Sequence, residues 1–196
     1  MLLNITGSNK KNRKLVKHAA QWYAERLMGK RLMNSLVINI NLRRNLITKE
    51  GCEGTAVWED DYCDRPREFT IELDLTFSIR DVLITLAHEM VHIKQWAKGE
   101  MYEYVKSPMV RFHTTKFELD DINYWDYPWE IEAFGKQLGL FIRFCEDVGI
   151  ADDDIKGATL KWNVTSSAGV VCAGAAVGRR ARHPRCHALQ WYRRAR

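Results

Sequence analysis

At 196 residues the chain is long enough for one domain with a hydrophobic core and too short for two comfortable ones. Its 46% hydrophobic and 28% charged residues are those of an ordinary globular protein, and no stretch approaches the roughly 20 apolar residues that span a bilayer. The net charge of +5 suggests a nucleic-acid partner only until it is divided, because residues 161–196 carry Lys161 and seven arginines with no acid, leaving 22 basic against 25 acidic residues before them.

The opening MLLNITGSNKKNRK has too few apolar residues ahead of its lysines for a signal peptide, so a cytoplasmic protein is expected. Ser8 is placed to cap a helix reaching about Met28, with Leu15, Val16, Ala19, Trp22, Tyr23 and Leu27 near helical spacing. LVININL (36–42) alternates and is rich in β-branched residues, which predicts a strand; GTAVWED (54–60) and REFTIELD (67–74) read as two more. The five cysteines form no CxxC pair, which excludes a zinc ribbon and favours reduced thiols.

A helix is predicted from about Ser78 to Lys98, stopped by Gly99. Residues 100–126 show no period and read as a long ordered loop, rich in aromatic side chains that are candidates to cover a cleft. Asp126 or Tyr127 then caps a helix with Pro128 in its first turn, continuing to about Val148. Beyond GIADDDIKG the sequence turns small-residue and Arg-rich, so residues 1–158 are expected to form the domain and 159–196 a basic, disordered tail. A nucleic-acid-binding arm is the sharper reading of that tail. The order of helix, three strands, helix, loop and helix makes the class α+β, with a small antiparallel or mixed sheet.

The chemistry-bearing stretch is LITLAHEMVHIKQW. Residues four apart on a helix lie about 6 Å and 40° apart, so the imidazoles of His88 and His92 can reach one metal ion. Glu89 lies about 100° round from His88, near enough to act as base on the water such a metal activates. Ile79, Val82, Leu83, Leu86, Met90, Ile93 and Ala97 share one stripe, with His88 and His92 nearly opposite and Arg80, Lys94 and Lys98 on a charged flank between.

A catalytic zinc takes three protein ligands. A histidine six residues beyond His92 is excluded, since that position is Lys98. His113 in the loop is one candidate. YWDYPWEIEAFG offers two more, Glu130 and Glu132. An apolar face of Ile131, Phe134, Leu138, Phe141, Ile142 and Cys145 puts Glu130 at its margin and Glu132 far from it, so Glu130 is the carboxylate that needs a cation and Glu132 the solvated one.

LAHEMVHIKQW followed at this distance by YPWEIEA resembles the small SprT-like metallopeptidases, particularly phage-encoded ones. The resemblance covers roughly residues 8–150 in order of elements, and the two motifs carry its specificity. It implies a minimal zincin fold with His88 and His92 as ligands of Zn2+ and Glu89 as general base, and the similar helix of glutamate-type zincins supports Glu130. The cellular relatives that act on DNA-crosslinked proteins use a third histidine and many carry a zinc ribbon; this chain departs on both counts.

The reading is therefore a zinc metallopeptidase acting on a protein or peptide, with Tyr124 or Tyr127 as candidate donors to the oxyanion. REFTIELD is a candidate to hold an extended peptide if it lies at a sheet edge. The alternatives are a non-catalytic zinc-binding module for a protein or nucleic-acid partner, which would not need Glu89, and a metal-free structural protein.

Overall fold

The computed structural model describes residues 1–60, 64–104 and 106–150; the tail expected from residue 159 lies outside them. The chain begins with an element that its periodicity did not single out, the short strand β1 (Leu2–Thr6). Gly7 and Ser8, both at positive φ, then turn it into helix α1 (Lys10–Leu27). A side chain at position 7 is excluded outright, because a Cβ would sit 2.0 Å from the Leu42 carbonyl oxygen. Asn9, and not Ser8, caps α1: its backbone is extended and its side chain accepts from the Asn12 N–H at 2.9 Å. Ser8, in the left-handed region, lacks the geometry an N-cap needs.

After the short helix α2 (Lys30–Asn34) come β2 (Val37–Arg43), the short helix α3 (Leu46–Glu50), β3 (Gly54–Trp58) and β4 (Glu68–Asp74). The α+β order stands, with a fourth strand added to the sheet. Strand order is β1-β2-β4-β3, with β2 parallel to both β1 and β4, and β3 antiparallel to β4. REFTIELD is therefore interior, and β3 is the edge beside it. Alternate residues such as Ile38, Ile40, Phe69, Ile71 and Leu73 are buried on the inner face and form the core with α1 and α4 (Ile79–Lys98).

Helix α4 starts where Ser78 accepts from the Asp81 N–H and stops at Gly99, which takes the left-handed conformation. It is buried on every side from Leu86 to Ala97. The charged flank expected of it survives only at its ends, where Lys98 is exposed and Arg80 half-buried; Lys94 between them is only 7% exposed. The reason is tertiary: α1 packs on one side of α4 and α5 (Pro128–Val148) lies across the polar side.

The long loop expected over 100–126 contains a second, antiparallel sheet, β5 (Met101–Glu103), β6 (Met109–Phe112) and β7 (Thr115–Glu118), followed by a 3-10 turn at Tyr124–Asp126. Its strands are too short to show a period, and His113, at φ 52, makes the turn between the last two. Met101, Val110 and Phe112 are its buried residues.

Helix α5 is rotated from the face its apolar residues predict. Ile131, Phe134 and Leu138 are 57%, 38% and 41% exposed, while Trp129, Glu130 and Ala133 are buried. Where α5 meets the polar side of α4, its inward positions carry site residues in place of large apolar ones. Among the described residues no helix is long and apolar enough to cross a membrane.

Candidate metal centre

One helical turn brings the His88 and His92 Nε2 atoms to 3.0 Å from each other. Their other nitrogens settle the tautomers. His92 Nδ1 lies 2.9 Å from Gln95 Oε1, and His88 Nδ1 lies 2.9 Å from Gln137 Oε1. The Gln95 amide has no freedom to flip, since its Nε2 donates to the Trp129 carbonyl at 3.0 Å and to Glu132 Oε2 at 2.9 Å. An amide oxygen only accepts, so His92 Nδ1 carries the proton and its Nε2 presents a lone pair; His88 takes the same tautomer with the Gln137 oxygen turned to its Nδ1. Two lone pairs facing each other repel, and only a shared proton or a cation relieves that.

The third donor gives the set a geometry that could hold a metal ion. Glu130, brought from α5, places Oε2 3.3 Å from His88 Nε2 and Oε1 3.5 Å from His92 Nε2. Tetrahedral ligands about 2.0–2.1 Å from zinc stand about 3.3 Å from one another, so the triangle already has the dimensions of a coordination shell. All three residues are buried, Glu130 to 1% exposure. A carboxylate this deep is stabilised by a positive charge, which neutral imidazoles do not supply and a divalent ion does. The Tyr124 hydroxyl also donates to Glu130 Oε2 at 2.8 Å.

Each candidate ligand thus has its own hydrogen-bonded partner: Gln137 for His88, Gln95 for His92 and Tyr124 for Glu130. Behind Gln95 stands Glu132, which is far from the solvated residue expected. It accepts from Lys94 at 2.7 Å and from Lys136 at 2.6 Å. Burial would raise its carboxyl, but hydrogen bonds from Lys136, Lys94 and Gln95 outweigh that and hold it at about 2. Lys94, which also pairs with Glu100, is pushed down by burial and up more strongly by those two carboxylates, so it stays charged. The hydrophobic wheel misplaced Glu132 because it could not register that Lys94 and Gln95 would face it across the helix pair.

Glu89 is 2% exposed and borders, with His88, an open cleft of about 580 Å³. Asp81, Ile84, Thr85, His88 and Glu89 form the floor of the cleft, at the spacing of one face of α4. One bank is the segment from Ile47 to Gly54, where β3 begins; the other is Tyr124, Trp125, Phe134 and Gln137. Gly54 lets β3 come this close, for a Cβ there would fall 2.4 Å from Thr85 Cγ2.

His113 stands outside the cluster, exposed at its turn. Tyr127 is also spent elsewhere, donating its hydroxyl to the Leu119 carbonyl at 2.7 Å, so Tyr124 is the tyrosine at the centre. Of the aromatic residues in 100–126, Phe112 and Phe117 pack against Trp129 and brace the start of α5, while Tyr124 and Trp125 reach the cleft. Gln95 and Gln137 escaped the sequence reading, although Gln95 follows His92 by three residues and so shares its face of α4.

Comparison of the chain with protein-family models, with curated proteins and with solved structures finds no match. The centre is accordingly read from its own geometry.

Proposed function

We propose that this chain is a zinc-dependent metallopeptidase of the SprT-like kind, in which His88, His92 and Glu130 hold the metal and Glu89 is the general base. Two histidines one turn apart around a glutamate, joined by a glutamate from a later helix, form the arrangement of a catalytic zinc site in metallopeptidases. The observation that carries the proposal is this convergence of three buried donors, of which His88 lines an open cleft together with Glu89. Two imidazoles and one carboxylate suit zinc, and three protein ligands leave it a position for water. The SprT-like assignment is supported by the two motifs, HEMVH and PWEIEA, and by the order of the helices that bear them.

When bound, zinc lowers the pKa of a water beside it towards about 7 and polarises a carbonyl oxygen. Glu89 accepts the proton of that water as it adds to the peptide carbonyl, then delivers it to the leaving amine. Tyr124, which lines the same cleft from the turn before α5, is the donor for the oxyanion, at the expense of its bond to Glu130. Edge strand β3 takes the docking role first considered for β4: among the described residues it pairs with β4 alone, and its start borders the cleft. An extended protein or peptide substrate added there would pass over His88 and Glu89.

The test is elemental analysis of purified wild type, Glu130→Ala and Glu132→Ala, with peptide hydrolysis measured for wild type and Glu89→Gln. Near-stoichiometric zinc in wild type, lost in Glu130→Ala, and hydrolysis abolished in a zinc-loaded Glu89→Gln are expected. A folded wild type that takes up no zinc from excess metal would sink the proposal. Full hydrolysis by Glu89→Gln would leave a metal site without the mechanism described.

A further inference from the structure

Among the described residues six large hydrophobic side chains are exposed: Leu2, Ile47, Trp125, Ile131, Phe134 and Leu138. Three of the six, Ile47, Trp125 and Phe134, line the cleft that contains His88 and Glu89. Trp125 is 56% exposed, with its ring centroid 5.2 Å from that of Phe134. Phe134 in turn meets the His88 imidazole edge-on, centroid to centroid 4.7 Å. The aromatic pair therefore begins in contact with a metal-ligand side chain and runs outward into the cleft. Ile47 stands on the other bank, and Ile84 lies on the floor between.

The geometry points to an apolar subsite here: the cleft takes a peptide with a bulky aromatic or aliphatic residue next to the bond to be cut, and Trp125 and Phe134 set that preference. This rests on the metallopeptidase reading and names its substrate class. Neighbouring residues of an extended peptide are about 3.5 Å apart along the chain, so a side chain adjoining a carbonyl held beside His88 is within reach of Phe134. Exposed aromatic rings grouped in a concave site with polar groups at one end are what a binding cleft uses to desolvate and orient an apolar ligand. The same reasoning explains why α5 turns Phe134 away from the core at a position where hydrophobicity alone would bury it.

Binding and cleavage are read separately. Fluorescein-labelled host peptides that differ at a single position (Phe, Leu, Ala or Asp) are titrated by anisotropy against full-length, zinc-loaded Glu89→Gln. The Phe and Leu peptides should bind about tenfold or more tighter than the Ala and Asp peptides. On that background Trp125→Ala and Phe134→Ala should cut the preference below about threefold, Trp125→Ala with zinc content and unfolding midpoint unchanged, while Phe134→Leu retains the preference. Equal binding of the four peptides, no binding by any of them, or a full preference in Trp125→Ala would overturn the subsite. Cleavage of the same peptides by wild type tests the metallopeptidase reading on its own: a protein that prefers Phe but never cleaves would keep the subsite and lose the enzyme.

Discussion

Gln95→Leu tests how the fold orients the metal ligands. Gln95 is fully buried, and Leu is close enough in volume that the change removes hydrogen bonds without opening a cavity. Three contacts go at once: the acceptor for His92 Nδ1, the bond to the Trp129 carbonyl and the bond to Glu132 Oε2. The His92 N–H is left buried without an acceptor, which costs about 1–3 kcal/mol, and with the two other bonds the metal-free fold should lose roughly 2–6 kcal/mol. The imidazole also loses the partner that fixes its tautomer and angle, so zinc should bind about 10–100-fold more weakly. Because zinc binds the folded chain, its contribution to stability at a given excess falls by the same factor, about 1.4–2.7 kcal/mol. Zinc competition against a chromophoric chelator measures the first quantity, and urea unfolding with chelator or with saturating zinc separates the second from the loss in the metal-free fold. Gln95→Glu should restore an acceptor for His92 while setting a carboxylate against Glu132, giving better zinc affinity than Gln95→Leu in a fold still weakened. A zinc dissociation constant for Gln95→Leu within threefold of wild type would refute the orienting role and reduce Gln95 to a packing residue.

Tyr124→Phe, which removes the hydroxyl bonded to Glu130, should weaken zinc about tenfold and slow hydrolysis by more than the zinc loss explains at saturating metal; an unchanged rate on zinc-saturated protein would rule out its part in catalysis. Glu132 is held at about 2, below its ordinary 4.5, so it stabilises the fold above pH 4.5 and that stability is lost as pH falls towards 2. Urea midpoints of the chelated protein between pH 6 and 2 should therefore fall less steeply for Glu132→Gln than for wild type, and parallel curves would contradict the assignment. Gly54→Ala should destabilise by about 1–3 kcal/mol through the clash with Thr85 Cγ2, and Gly54→Ala with Thr85→Ser should recover most of it, because serine lacks that methyl. Additive losses in the double variant would mean that the β3–α4 approach is not what Gly54 permits.

The features readable from the sequence are those set within a turn or two of chain. Ser78 and Gly99 mark the ends of α4, alternation marks β2 and β4, and four-residue spacing places His88 and His92 together, since helix and strand geometry convert spacing directly into direction. Glu130 was reachable too, through the cost of burying a carboxylate beside apolar neighbours, although the face inferred for α5 was turned from the real one. β1 and the β5–β7 sheet were not legible, because strands of three to five residues carry too little pattern; β1 also depends on a partner 35 residues further along the chain. Nor was the edge position of β3, which depends on β4 pairing with β2 on its other side. The deepest part of the site lies in the same category. Lys94 and Glu132 are 38 residues apart, and the chain from Lys94 through Glu132 and Gln95 to His92 exists only once α5 is seated on α4. Within one helix the backbone dictates which side chains meet; between two helices packing does, and here packing buries polar groups that hydrophobicity alone would leave in water.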